Sequence, residues 1–181
     1  MIKLTGINKK FGSEICLENI DLEISDSTFT ALTGKSGSGK TTLLKIIGGL
    51  ESPTSGTVAY DGVFINEMSE ERSSFFRNNN LGFIFQDYFL EENYTVFENV
   101  SIPLVISGVP KKKIQLLAEK QLEAVDMLSK RNSLIKKLSG GEKQRTAIAR
   151  AMINDPAVIL ADEPCGNLDS ENSKNIMRIL R

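Results

Sequence analysis

The chain has 181 residues, of which 40% are hydrophobic and 25% are charged, and its formal net charge at pH 7 is −1. These values are typical of a globular protein and exclude a disordered, collagen-like or disulfide-scaffold chain. Because the charge is nearly balanced, no global positive field attracts nucleic acid, and we expect no nucleic-acid partner.

The two cysteines, Cys16 and Cys165, lie far apart and in no paired motif. Neither a disulfide framework nor a cysteine metal site is indicated, so we expect a reducing compartment. The N-terminus lacks an apolar signal core, and every apolar run is far shorter than the roughly 20 residues of a membrane-spanning helix. We therefore expect the chain itself to be soluble and cytoplasmic.

The first third of the sequence is predicted to be rich in strands, because short apolar or alternating runs are separated by turn residues. These runs are residues 2–4, 16–24, 29–33 and 57–60. Asp61 and Gly62 form a two-residue hairpin signal, which predicts a further strand at residues 63–65.

A glycine-rich segment follows the predicted strand at residues 29–33 and matches the pattern G-x-x-x-x-G-K-[ST] at every fixed position. It consists of Gly34, Lys35, Ser36, Gly37, Ser38, Gly39, Lys40 and Thr41. Apolar residues then recur at helical spacing through residues 41–50, at Leu43, Ile46, Ile47 and Leu50. The segment therefore has the strand–loop–helix context of a phosphate-binding loop, and we call residues 34–41 the phosphate loop.

The residue types of the phosphate loop suit an anion. Three glycines allow successive N–H groups to point inward, and the helix N-terminus adds partial positive charge. Lys40 is predicted to reach the β- and γ-phosphate oxygens of a nucleotide, and the hydroxyl of Thr41 to bind Mg²⁺. The alternative interpretation is a Gly/Ser-rich turn before a helix.

The middle of the chain changes from strand to helix. An apolar strand is predicted at residues 81–85, and it ends at the polar pair Gln86 and Asp87. Residues 110–128 predict an amphipathic helix that starts at Pro110 and has three lysines in its first turn. These are Lys111, Lys112 and Lys113, and we interpret them as a solvated face.

A second helix is predicted to open at residues 139–142 and to end before Asp155 and Pro156. The continuous apolar run at residues 157–161 predicts a strand buried on both faces of a parallel sheet. Asp162 and Glu163 follow that strand, and ligands in such sheets lie at the carboxyl ends of strands. We therefore expect this pair near the phosphate loop, with Asp162 on Mg²⁺ and Glu163 polarising the attacking water; the alternative is a solvated acidic turn.

Together these features resemble the nucleotide-binding domain of an ATP-binding cassette (ABC) ATPase. Residues 138–145 read Leu-Ser-Gly-Gly-Glu-Lys-Gln-Arg, which is similar to the signature of that family, and Gln86 matches its glutamine after a strand. Phe11 resembles the aromatic residue that stacks on adenine, although a lone aromatic at such a position is as often part of a core. Asn167, Leu168 and Asp169 resemble the loop after the second carboxylate.

The resemblance implies an α/β fold of the P-loop NTPase type, with an ABC-type core, an antiparallel β subdomain and an inserted α-helical subdomain. Residues 1–86 would form the ATP-binding core with the β subdomain, and residues 87–137 the helical subdomain. Residues 138–181 would hold the signature helix, the strand before the second acidic motif and the start of the following helix. All three parts belong to one ABC domain.

The same resemblance assigns roles to individual residues. Glu163, Lys40 and Gln86 would be catalytic, and Thr41, Gln86 and Asp162 would hold Mg²⁺. ATP would contact Phe11, residues 34–41 and Thr42. In a head-to-tail dimer, the second subunit would add Ser139, Gly140, Gly141 and Glu142 in trans. Ser139 and Glu142 also match a capping box, and both interpretations can hold at once.

The implied function is that of an ATP-binding and ATP-hydrolysing subunit of an ABC transporter, which drives translocation through a separate membrane permease, with export as the expected direction. The subunit would lie on the inner face of the cell membrane and dock the permease through residues 86–103. Residues 81–104 resemble an exporter group that includes lipoprotein-release, macrolide-efflux and antimicrobial-peptide-resistance systems. The alternatives are a soluble ABC ATPase outside transport, or an ATP-binding regulatory module with impaired hydrolysis.

Two features depart from the family pattern. Family members carry a histidine that contacts the γ-phosphate, in a strand well beyond the second carboxylate, whereas this sequence contains no histidine and ends first. We therefore expect a C-terminally incomplete copy of a longer domain, or, if the chain is natural at this length, ATP binding with impaired hydrolysis. Cys165 stands where relatives carry a small hydroxyl residue, a change that leaves phosphate binding intact.

Overall fold

The structure is a computed structural model that describes residues 1–166, 168 and 170–180, the side chains at 171 and 172 excepted. Two positions of the predicted loop, Asn167 and Asp169, therefore lie outside the described residues. The chain divides into two compact units, Met1–Arg77 and Asn78–Arg181. The subdomain boundaries expected after residues 86 and 137 stay predictions.

The first unit contains a four-stranded antiparallel sheet with the order β2-β1-β3-β4. Its strands are β1 (Ile2–Phe11), β2 (Glu14–Ile24), β3 (Ser55–Tyr60) and β4 (Val63–Phe64). Leu4, Ile7 and Val58 are completely or almost completely buried in it. The antiparallel, strand-rich first third of the sequence is thus confirmed.

The hairpin between β3 and β4 follows the prediction. Tyr60 pairs with Val63, and the two residues between them, Asp61 and Gly62, have positive φ of 49° and 82°. Positive φ at both central residues is the requirement of a type I′ turn. The predicted strand was one residue too long, because Ile65 begins a 3₁₀ turn and is buried there.

The predicted strand at residues 29–33 is wrong, because these residues belong to none of the strands in the described part of the chain. A strand requires a hydrogen-bonded neighbour, and an apolar run alone does not supply one. The exposed fraction of Phe29 is 65%, so this run is not a buried strand either. The phosphate loop is therefore preceded by a non-strand segment.

Helix α1 (Lys40–Ile47) follows the phosphate loop and buries Leu43, Ile46 and Ile47 as predicted. It ends at Gly48, earlier than expected, and Leu50 lies beyond it with 45% of its surface exposed. Gly49, at φ 62°, continues the chain after the cap, in a conformation that few other residues adopt. The helical periodicity thus extended past the true end of the helix.

Helix α2 (Glu70–Asn80) leads from the first unit into the second. The second unit then contains β5 (Leu81–Ile84), α3 (Val96–Ile106), α4 (Lys111–Ala124), α5 (Gly140–Met152), β6 (Val158–Ala161) and α6 (Ser170–Ile179). Buried apolar side chains of β5, α3, α4, α5 and α6 form one core, and the half-buried Ala161 of β6 packs against it. The predicted helix at 110–128 is confirmed in shortened form, with Lys111, Lys112 and Lys113 exposed.

Strands β5 and β6 pair in parallel, with Leu81 opposite Val158 and Ile84 opposite Ala161. The parallel pairing confirms the prediction, but burial on both faces is wrong: Leu160 is buried, whereas 36% of Ile159 is exposed. Among the described residues β6 has β5 as its one strand neighbour, so it is covered less completely than the central strand that the apolar run suggested.

Gly82 in β5 allows the sheet to approach α5 closely. A methyl group on Gly82 would lie 2.4 Å from the carbonyl oxygen of Ala151 in α5 and 3.2 Å from Cγ of Pro156. No side chain fits at these distances without a backbone shift, because real contacts of this kind are longer. The close packing of β5 on α5 thus depends on this glycine.

We predict that Gly82→Ala lowers the free energy of unfolding by about 1–3 kcal/mol through overpacking, as measured by urea denaturation. Gly108→Ala is the matched control, since Gly108 has φ 70° but an added methyl group meets nothing within 4 Å. The Gly108→Ala control lowers the free energy of unfolding through backbone strain alone. A loss of stability in Gly82→Ala well below about 1 kcal/mol would contradict the close packing of β5 on α5.

Candidate nucleotide-binding site

The N-terminus of α1 has no side-chain cap. Its N-cap residue is Gly39, at φ 84°, and the first turn carries no acidic residue. By contrast, α3 and α5 are each closed by a hydroxyl and a glutamate in a capping box. The first N–H groups of a helix lack intrahelical partners and carry partial positive charge. The start of α1 is therefore suited to an anionic ligand.

Gly39 is required on two grounds. Its positive φ disfavours other residues, and an added Cβ would lie 2.7 Å from Cδ2 of Leu17 and 3.0 Å from the carbonyl oxygen of Cys16. Gly37, at φ 78°, also adopts the left-handed conformation. The glycines of the motif therefore allow the phosphate loop to pass close to β2.

Lys40 folds back across the phosphate loop. Its Nζ donates to the carbonyl oxygens of Gly34 and Lys35, both at 2.9 Å. These two bonds hold the positive charge over the loop, at the open end where Gly34, Lys35, Ser36, Gly37 and Ser38 are all exposed. Thr42 faces β2 instead, where its Oγ1 accepts from Sγ of Cys16 at 3.4 Å.

Phe11 lies at the end of β1 with 52% of its surface exposed, so it is not part of the core. The ammonium nitrogen of Lys9 lies 4.8 Å from the centroid of its ring. An exposed aromatic ring offers a flat surface to a planar ligand. The sequence alone allowed Phe11 to be either a core residue or a ligand contact. The exposure of Phe11 excludes a place in the core.

In the second unit, the structure brings Gln86 and Glu163 together. Gln86 follows β5 and Glu163 follows β6, and a methyl group on Gly166 would lie 3.3 Å from Nε2 of Gln86 and 3.1 Å from Oε2 of Glu163. The N–H of Asp162 donates to the carbonyl oxygen of Ile84 at 2.9 Å, which extends the pairing of the two strands. Parallel pairing therefore places these predicted residues at one edge, as expected.

The turn after Gln86 is held by Arg150, which the sequence analysis did not identify. Tyr88 and Phe89 both have positive φ, at 61° and 45°, a conformation that is costly for residues other than glycine. The guanidinium of Arg150 donates to the carbonyl oxygens of both residues, at 2.7 Å for Tyr88. The feature of the sequence that could have identified Arg150 is the position of a charged residue between Ala149 and Ala151, two small apolar residues that are buried in α5.

The N-terminus of α5 carries the predicted capping box. The N–H of Glu142 donates to Oγ of Ser139 at 3.3 Å, and the N–H of Ser139 donates to Oε2 of Glu142 at 2.8 Å. The box leaves the N–H groups of Gly140 and Gly141, at the first two helical positions, without intrahelical partners. Capping and a ligand at this helix start are therefore compatible.

The residues predicted for Mg²⁺ offer a hydroxyl, an amide and a carboxylate, from Thr41, Gln86 and Asp162. No cluster of three or more His, Cys, Asp or Glu that could hold a metal occurs among the described residues. Mg²⁺ prefers oxygen ligands and is often bound through one or two carboxylates together with substrate phosphates. The chemistry of the donor set therefore fits this ion.

Hydrogen bonding from the backbone N–H of Ser139 lowers the pKa of Glu142. A carboxyl whose pKa is lower in the folded state stabilises the protein above its unfolded pKa, near 4.3, and this contribution is lost as the pH falls through the folded pKa. We predict that Glu142→Gln, which can keep the capping bond, flattens the loss of stability between about pH 5 and pH 3.

Urea unfolding of the parent and of Glu142→Gln across this pH range measures the effect. Glu123→Gln is the control, because Glu123 is exposed on α4 and its side chain caps no helix terminus. The control should keep the acid dependence of the parent. If Glu142→Gln also keeps it, the capping bond does not stabilise the charged form of Glu142.

A glycine-rich loop that leads into an uncapped helix N-terminus is the arrangement of a P-loop nucleotide-binding protein. Comparison with known proteins narrows this class. A family model described as ABC transporter matches residues 17–166. The chain belongs to the ABC transporter family.

Individual relatives agree with this assignment. The lipoprotein-releasing system ATP-binding protein LolD of Bacteroides thetaiotaomicron is 48% identical over 179 residues, which are 99% of this chain and 82% of that protein. The uncharacterized ABC transporter ATP-binding protein YknY of Bacillus subtilis is 42% identical over 98% of this chain and 79% of its own length. Both similarities extend over nearly the whole chain.

Solved structures confirm the fold class. The dimeric structure of MJ0796, a bacterial ABC transporter cassette, matches with a TM-score of 0.92 and 38% identity, over 99% of this chain and 81% of that chain. A post-hydrolysis state of the same cassette, bound to ADP and Pi, matches with a TM-score of 0.91 and 37% identity over the same shares. In the part of the chain that the structure describes, no helix is both long and apolar enough to span a membrane.

Proposed function

We infer that this chain is the ATP-binding and ATP-hydrolysing subunit of an ABC transporter and works with a separate membrane permease. The observation that carries this conclusion is the family match over residues 17–166, which includes the phosphate loop and the signature helix. The relatives named as ATP-binding proteins and the related cassette bound to ADP and Pi support it. A soluble ABC ATPase outside transport is not favoured.

The phosphate loop holds the triphosphate of ATP. Uncapped N–H groups at the start of α1 and the ammonium of Lys40, which already lies across the loop, supply the positive charge. Thr41, Gln86 and Asp162 would hold Mg²⁺, which would neutralise charge on the phosphates during transfer. The exposed ring of Phe11 stacks on the adenine.

Glu163 acts as the general base. Water attacks the γ-phosphorus, the bond to the bridging oxygen breaks, and ADP leaves while Glu163 accepts the proton of the water. Gln86, whose side-chain end lies beside that of Glu163 around Gly166, orients the water. Arg150 fixes the turn that follows Gln86 and so restricts the position of this amide.

Two copies of the cassette act together, which is supported by the dimeric form of MJ0796. The start of α5, with Ser139, Gly140, Gly141 and Glu142, faces the γ-phosphate bound by the second subunit. The N–H groups of Gly140 and Gly141 have no intrahelical partners, and they bind this phosphate because helix N-termini bind anions. ATP therefore closes the dimer and hydrolysis reopens it.

The partner is a membrane permease, and the subunit lies at the cytoplasmic face of the membrane, docked through residues 86–103. Within that segment Phe89 is 65% exposed on the turn that Arg150 holds, so an apolar side chain is available for contact. Relatives named for lipoprotein release favour a lipid-modified protein as cargo.

We predict that Lys40→Ala weakens ATP binding by roughly 1.5–3 kcal/mol, because a charge-assisted contact to the phosphates is removed. Calorimetric titration with Mg-ATP measures the change. Lys45→Ala is the matched control, since Lys45 is exposed on the same helix and removes the same charge away from the loop. Equal affinity of Lys40→Ala and Lys45→Ala would show that Lys40 does not bind the phosphates.

We predict that Glu163→Gln leaves ATP affinity within about twofold of the parent and lowers the rate of hydrolysis by about 10²–10⁴-fold. The ATP-bound dimer should accumulate, which light scattering detects. Single-turnover hydrolysis by parent and variant gives the rate ratio, with Glu123→Gln as the surface control. Equal rates for Glu163→Gln and the parent would exclude Glu163 as the base.

A further inference from the structure

Lys9 is a buried lysine, which is uncommon because an ammonium group loses its hydration on burial. It lies on β1, two residues before Phe11, and only 9% of its surface is exposed. Its neighbour Lys10 is exposed. A lysine in this environment requires partners that replace water.

Those partners are a carboxylate, a carbonyl and an aromatic ring. Nζ of Lys9 donates to Oε1 of Glu51 at 2.5 Å and to the carbonyl oxygen of Ser52 at 2.8 Å. The same nitrogen lies 4.8 Å from the centroid of the Phe11 ring. Because an ammonium group has three donors, two are satisfied by oxygen and one remains for the ring.

We propose that Lys9 is a positioning residue for nucleotide binding, which holds the Phe11 ring as a platform for the adenine base. This proposal rests on the proposed function, in which Phe11 stacks on adenine. Lys9 has no contact with the nucleotide in this proposal; it acts through the ring.

The contacts of Lys9 suit this role. Lys9 and Phe11 lie two residues apart on β1, and although the pairing with β2 is irregular between Lys9 and Lys10, the contact of the Lys9 ammonium with the Phe11 ring makes the two side chains neighbours. A cation over one face of a phenyl ring is attracted by the ring quadrupole and restricts its orientation. The ring is still 52% exposed, which leaves surface for a second planar group.

Lys9 also connects the Phe11 ring to residues 51 and 52, which follow α1. Glu51 and Ser52 follow α1 within a few residues, and Lys40 and Thr41 are the first residues of that helix. The ring is thus tied to the segment that follows the C-terminal end of α1, the helix whose opposite end carries the phosphate loop. A base and a triphosphate on the same nucleotide require such a fixed spacing.

The main test variant is Lys9→Gln, which keeps a donor for Glu51 and Ser52 but removes the charge over the ring. Lys9→Arg restores the cation, and Lys10→Gln is the matched control on the adjacent, exposed lysine. Each variant of the full chain is titrated with Mg-ATP and, separately, with Mg-tripolyphosphate, which has phosphates but no base.

Lys9→Gln should bind ATP roughly two- to fivefold more weakly than the parent, and tripolyphosphate as the parent does. Lys9→Arg and Lys10→Gln should bind both probes like the parent. In the background of Phe11→Ala, which itself weakens ATP binding, Lys9→Gln should have no further effect. Should Lys9→Gln not fold, Glu51→Gln, which weakens the anchor of Lys9, is expected to lower ATP affinity in the same selective manner.

Each other outcome has a distinct meaning. Equal weakening of ATP and tripolyphosphate would overturn the proposal, because Lys9 would then support the fold or the phosphate loop. Weaker ATP binding by Phe11→Ala with unchanged binding by Lys9→Gln would overturn it while leaving the proposed function intact. If Phe11→Ala binds ATP like the parent, the platform itself is wrong, and if the parent binds no ATP, the proposed function fails.

Discussion

The first turn of α1 begins with N–H groups that its N-cap residue does not cap, because that residue is Gly39 and has no side chain. Two other helices of the chain, α3 and α5, close their N-termini with a hydroxyl and a glutamate. Gly39 also has no room for a side chain against Leu17 and Cys16. The same geometry that packs the loop over β2 therefore keeps the helix N-terminus open to an anion.

A second constraint operates in the unit that contains the acidic residues. Parallel pairing of β5 with β6 brings Gln86 and Glu163 to one edge, and the close approach of Gly82 to Ala151 packs β5 against α5. Arg150, on that helix, then fixes the strained turn after Gln86. Helix α5, which carries the predicted signature, is thus joined to the edge that holds Gln86 by the close approach of β5 and by the guanidinium of Arg150.

The sequence predicted the parts of the fold that depend on local chemistry. The phosphate loop motif, the Asp61-Gly62 hairpin and the capping box at Ser139 each arise from a few neighbouring residues, and the hairpin and the box are confirmed. Several features that depend on distant partners were missed or wrong, although the parallel pairing of β6 was predicted correctly. The run at residues 29–33 has no strand to pair with in the described chain, and the roles of Lys9 and Arg150 come from residues 42 and 62 positions away.

The central claim is that amides at an uncapped helix start, together with Lys40, bind the phosphates of ATP. Calorimetric titration of the folded chain with Mg-ATP tests it most directly, with circular dichroism of the same sample as evidence of folding. We expect saturable binding of one nucleotide per chain. If titration of a well-folded sample with Mg-ATP gives no detectable binding, the phosphates are not bound by these groups.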